Sequence, residues 1–185
     1  MSTLENPTID RAPERSKPLL RSLQAAAGMI PNLAAAMAES PELLQGFLAV
    51  REIYANGTFT PPEIQVLSLT AAYENDCAWC MAFHTLMGRN DGVPDEAVDA
   101  LRAGQAPADK KLGALSNLAR AMVRNRGDVS GPVYDRFLAA GYTKPQALEV
   151  VLGMSFSLMA NYAGHLTNPA LDPPLQAHAW QRATS

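Results

Sequence analysis

Cys77, Cys80 and His84 are the residues of this chain whose types and spacing suit chemistry. They stand in ENDCAWCMAFHT, residues 74–85, which holds the only two cysteines. On a helix, positions three and four apart share a face, so the three side chains form one stripe. A cysteine at a helix N-terminus has its thiolate stabilised by unpaired N–H groups and by the macrodipole. His84, one turn beyond Cys80, can exchange a proton with it, directly or through water. The thiolate is the reactive form, so this is the setting a redox cysteine needs.

Three readings of the stripe stay open at this point. The favoured one is a redox dithiol, because C-x-x-C at a helix start is a recurring solution to that chemistry. The second is a zinc site, with His165, His178 or Glu74 completing the four ligands that structural zinc wants. No second C-x-x-C and no H-x-x-x-H partner supports it. The third is two small core residues beside a hydrogen-bonded histidine.

Composition bounds the other possibilities. Of 185 residues 48% are apolar, and the net charge is -3. Basic residues are scattered, which gives no electrostatic reason to expect nucleic acid or an anionic membrane as partner. No apolar run approaches the roughly 18 residues needed to cross a bilayer. The N-terminus MSTLENPTIDRAPERS has no hydrophobic stretch like that of a secretory signal. The expected compartment is the cytosol, where a permanent disulfide is disfavoured and a close cysteine pair is more often catalytic or metal-binding. No cofactor and no resident metal are expected.

The elements that must position the stripe are helices. Strand-like alternation is nearly absent, and Ala, Leu and Met dominate between Pro, Gly and Asp punctuation. Residues 1–15, rich in Pro and charge, are expected to form a flexible arm, and residues 16–185 a single all-α domain. Helices are predicted from Ser16 to Gly28, over 31–38, and from Ser40-Pro41-Glu42 to Asn56-Gly57. Thr60-Pro61-Pro62-Glu63 is a capping box, and it opens a run apolar on most sides through Tyr73. Asp76 is the expected cap of the cysteine helix, Cys77 to Asn90. Helices over 94–103, 108–125 and 130–139 follow. A second capping box, Thr143 to Gln146, opens a long apolar helix that ends near His165. The tail from Asp172 is expected to add one more turn.

The pattern E-N-x-C-x-x-C-x-x-x-H after a buried helix resembles the AhpD-like branch of the carboxymuconolactone decarboxylase superfamily. Gly28-Met29-Ile30-Pro31-Asn32 with Ser40-Pro41-Glu42-Leu43-Leu44 resembles the lead-in of its peroxidase-related members, and Asn161 to Asn168 their closing segment. The resemblance implies an AhpD-like all-α bundle and a homo-oligomer, commonly a trimer or a hexamer of dimers. It implies reduction of organic hydroperoxides at the expense of an external dithiol. By the same resemblance Cys80 attacks the peroxide and becomes a sulfenic acid, Cys77 resolves it as a disulfide, and His84 serves the proton relay. Lactone decarboxylation and non-peroxidatic disulfide exchange or redox sensing are the rival activities; the first does not need the cysteine pair.

Two positions depart from the family pattern. Gln65 stands where the well-studied alkylhydroperoxidases carry a glutamate, and Trp79 where they carry a histidine. Gln65 can hydrogen-bond but cannot carry a proton as a carboxylate does. Glu74, just before the motif, is the candidate substitute base. Tyr73, Gln65 and Trp79 are candidate pocket residues, and so are Asn161 and His165 near the end of the long helix. His178 is read as tail, and the helical methionines as packing.

Overall fold

The computed structural model describes residues 8–183. Among them the expected all-α character holds: nine α-helices, one short 3-10 turn and no strand. In chain order the helices are α1 (Lys17–Ala27), α2 (Asn32–Met37), α3 (Pro41–Ala55), α4 (Pro61–Glu74), α5 (Ala78–Asn90), α6 (Asp95–Arg102), α7 (Lys110–Arg124), α8 (Gly131–Ala139) and α9 (Lys144–Thr167). The 3-10 turn is Pro173–His178.

α4 is the axis of the bundle. Val66, Leu67, Leu69, Ala71 and Ala72 are fully buried, and Gln65, Ser68 and Thr70 are buried beside them. A helix covered on every side needs neighbours on every side, and α5, α7 and α9 supply them. Its buried hydroxyl at Thr70 is satisfied by the Val66 carbonyl at 2.8 Å and by Ser116 of α7 at 2.9 Å.

The capping signals work as the sequence predicts. At the start of α4, Glu63 Oε2 accepts from the Thr60 backbone N–H at 2.9 Å. At the start of α9, Gln146 Oε1 accepts from Thr143 N–H at 2.9 Å, and Thr143 Oγ1 accepts from Gln146 N–H at 3.3 Å. α9 then runs for 24 residues past α4, α3 and α2. Its outer face leaves Leu148, Val151, Leu158, Tyr162 and Leu166 exposed.

One cap differs from expectation. Asp76 does not cap α5; it sits in the left-handed region at φ 55°, in a turn where Cys77 N–H closes on the Ala72 carbonyl at 2.9 Å. Cys77 itself takes the cap position, and its Sγ accepts from the Cys80 N–H at 3.3 Å. Sulfur replaces the usual oxygen because the turn puts Cys77, not Asp76, at the first extended position before the helix.

Residues 1–7 of the expected N-terminal arm lie outside the described residues. In its described part Ala12 is buried and Ile9 packs on the core. At the other end, buried Asp172 accepts from Trp79 Nε1 and from the Asn32 N–H, each at 3.0 Å. One carboxylate thus ties the tail to α5 and to the first turn of α2.

Candidate active site

Cys77 and Cys80 are joined as a disulfide at the start of α5, with Cα atoms 5.3 Å apart. Both are buried, but they are not equivalent. Cys77 lines a cavity of about 280 Å³, together with Asp76, Trp79, Gly164, His165 and Asn168. Cys80 is not among the residues lining it. A larger groove of about 850 Å³ runs between α7 and α8, and no candidate site residue lines it.

His84 lies one turn after Cys80 on the same helix, as the spacing requires. Its Nδ1 is 2.8 Å from Gln65 Oε1 of α4. The Gln65 amide continues to Asp91, whose Oδ2 accepts from Nε2 at 2.8 Å. Burial pushes the His84 imidazole down to about 4, so it is neutral at physiological pH. Phe83 stands edge-on to the ring at 5.1 Å.

The turn between α4 and α5 is held by α9. Asn75 caps the end of α4; its carbonyl accepts from His165 Nε2 at 2.6 Å, and its side-chain amide donates to Asn161 Oδ1 at 2.9 Å. Asn161 is buried, and His165 lines the Cys77 cavity. Both residues therefore sit at the site, bonded to the turn that presents Cys77.

The remaining sequence candidates separate. Glu74 has its carboxylate held by Arg120 Nε at 2.8 Å and by Arg124 Nε at 2.6 Å, so its partners are on α7 and not in the cysteine stripe. Tyr73 packs edge-on against Trp180 at 5.8 Å, with the Arg182 guanidinium over its ring at 4.4 Å. Trp79 stacks on Phe83 at 5.2 Å and forms one wall of the Cys77 cavity. Asp91, Asn75 and Gly164 were not singled out from sequence. Asp91 reads there only as part of an Asp-Gly turn, and nothing local links it to Gln65.

Among the described residues no group of three or more His, Cys, Asp or Glu gathers in a way that could hold a metal ion. His165 and His178, named as completing zinc ligands, instead meet the Asn75 carbonyl and the Arg89 guanidinium.

Comparison with known proteins agrees with the all-helical fold. The model of the carboxymuconolactone decarboxylase family matches residues 41–123, which run from the start of α3 almost to the end of α7. A peroxidase-related protein from Ralstonia eutropha, described as an alkylhydroperoxidase AhpD core, superposes with a TM-score of 0.83 at 16% identity, covering 94% of this chain and 93% of that one. A peroxidase-related protein from a Silicibacter species gives 0.77 at 19% identity, with the same coverage of 94% and 93%. The debrominase Bmp8, as a cysteine-to-alanine variant in complex with 2,3,4-tribromopyrrole, gives 0.73 at 14% identity and covers 89% of each chain. No curated protein matches the sequence. The family match over 41–123 and the shared fold support a place in the AhpD-like carboxymuconolactone decarboxylase superfamily.

Proposed function

We propose that this protein is a thiol-dependent peroxidase that reduces organic hydroperoxides through a Cys77–Cys80 dithiol–disulfide cycle. The observation that carries the reading is a disulfide at a helix start, one turn before a half-buried, neutral imidazole. Two structural relatives described as peroxidase-related support it through the shared fold.

In this cycle His84 takes the proton of the Cys80 thiol. The Cys80 thiolate attacks the terminal peroxide oxygen, the O–O bond breaks, and the alkoxide leaves as an alcohol on taking that proton. Cys80 is now a sulfenic acid. The Cys77 thiol attacks its sulfur and expels water, which forms the disulfide. An external dithiol then attacks the Cys77 sulfur from the cavity and releases the Cys80 thiolate; its second thiol closes its own disulfide and releases Cys77 as a thiol. Two electrons pass from the dithiol to the peroxide. Glu74, engaged by two guanidinium groups, takes no part as a base in this scheme. Asn161 and His165 position the turn, and Trp79 walls the cavity.

The cycle suits the cytosol, where dithiol reductants are replenished. No described helix is long and apolar enough to cross a membrane. A homo-oligomer is part of the proposal, supported by the apolar outer face of α9.

A second reading, disulfide exchange without peroxide reduction, is favoured by one observation: Cys77 and not Cys80 lines the open cavity. Stopped-flow mixing of reduced protein with cumene hydroperoxide, followed by mass spectrometry, separates the two. Rapid loss of two hydrogens with a Cys77–Cys80 disulfide is the expected result. Two intact thiols after minutes of exposure would sink the peroxidase reading and leave disulfide exchange.

A further inference from the structure

We infer that Asp91 is a positioning residue of this site: acting through Gln65, it fixes the His84 tautomer that leaves Nε2 free to accept a proton. The inference deepens the proposed function, on which the use of that proton rests.

A carboxylate can only accept, so the end of the Gln65 side chain that lies 2.8 Å from Asp91 Oδ2 must be the NH₂ group. The other end, facing His84 Nδ1 at 2.8 Å, must then be the carbonyl oxygen, which also only accepts. His84 Nδ1 therefore carries the hydrogen. A neutral imidazole has one N–H, and burial keeps this ring neutral, so Nε2 holds the lone pair.

Without Asp91 the amide has no reason to prefer this orientation. Gln65 can turn its NH₂ toward His84 and offer a donor to Nδ1. That reverses the ring: the hydrogen moves to Nε2, and the nitrogen able to take a proton becomes Nδ1, already blocked by the amide. An amide does not relay protons, so Asp91 acts by orientation and not as a base. The arrangement is long-range, since Gln65 is on α4 while Asp91 closes α5.

The test uses protein with ¹⁵N-labelled histidine, in the oxidised state and at neutral pH. In the wild type, the spectrum should assign the hydrogen of His84 to Nδ1 and a bare, pyridine-type nitrogen to Nε2. Asp91→Lys replaces the acceptor by a donor and should swap the two assignments. Asp91→Asn still offers an oxygen and should retain the wild-type pattern. In reduced protein, alkylation of Cys80 should slow by about tenfold or more in Asp91→Lys and stay near wild type in Asp91→Asn.

A wild-type His84 with its hydrogen on Nε2 overturns the inference, whether or not the lysine variant folds. So does a swapped tautomer with an unchanged alkylation rate. If both readouts behave as expected but no variant consumes peroxide, the positioning role stands and the peroxidase reading fails.

Discussion

Gly164 of α9 lies directly against Cys77 of the disulfide: a Cβ built on it would sit 3.1 Å from the Cys77 sulfur. The missing side chain is what keeps the cavity open beside that atom. Gly164→Ala should crowd this approach, and Gly164→Val should close it. Reduction of the disulfide by dithiothreitol should slow several-fold in the first and more in the second, because thiol–disulfide exchange depends on access to the attacked sulfur. The rate of appearance of free thiols measures this. Equal rates in all three proteins would mean that reductants reach the pair from another side.

His84 gives a pH dependence with a definite sign. Its pKa in the folded, oxidised protein is lowered from 6.5 to about 4 by burial. Between these values the unfolded chain binds a proton that the folded one refuses. Stability should therefore be level above about pH 6.5 and fall as the pH drops toward 4, by at most about 3 kcal/mol. Denaturant melts across this range check it, and His84→Gln should flatten the slope.

Reduction should move the same residue the other way. A thiolate at Cys80, one turn from the ring, favours the imidazolium and raises the His84 pKa above its value in the disulfide form. NMR titration of both redox states reads this directly. The rise should vanish in Cys80→Ser. An identical midpoint in the oxidised and reduced proteins would remove His84 from proton exchange with Cys80.

The helical pattern carried most of the fold in plain view. Capping boxes at Thr60 and Thr143, together with Pro and Gly punctuation, mark where α4 and α9 start and where helices stop. The order of Cys77, Cys80 and His84 was legible too: Cys77 takes the cap position of α5, and Cys80 and His84 follow it on that helix. Glu74 finds its partners away from the cysteines for a physical reason: α4 ends there, capped by Asn75, and the left-handed Asp76 breaks the helical phase before Cys77. Three residues of separation across that break no longer mean a shared face, and the side chain goes to α7. The link from His84 through Gln65 to Asp91 crosses between helices, so no local periodicity reveals it.

Glu74 supports the fold, and its replacement should show it. The carboxylate is 6% exposed and the partner Arg120 side chain 13% exposed. Glu74→Ala strands that guanidinium in the interior without a counter-charge. Breaking a buried pair from one side costs on the order of 3 kcal/mol. Chemical denaturation should show the loss. Cys80 alkylation in the still-folded variant should match wild type; a large drop there would return Glu74 to the relay.

The outer face of α9 sets the last expectation. Leu148, Val151, Leu158, Tyr162 and Leu166 recur at spacings of three, four and seven residues, and Leu148 and Leu166 are 73% and 76% exposed. A stripe this apolar along one helix gains free energy by being covered, and a second copy of the same helix offers a matching stripe. The same helix holds Asn75 through Asn161 and His165, so covering it would also brace the turn that carries Cys77. Leu158→Glu with Tyr162→Glu places two like charges in the stripe and should convert the protein to a monomer with intact helical content. Sedimentation at micromolar concentration reads the state. A wild-type monomer would show that α9 faces solvent by design, and the homo-oligomer would have to be abandoned.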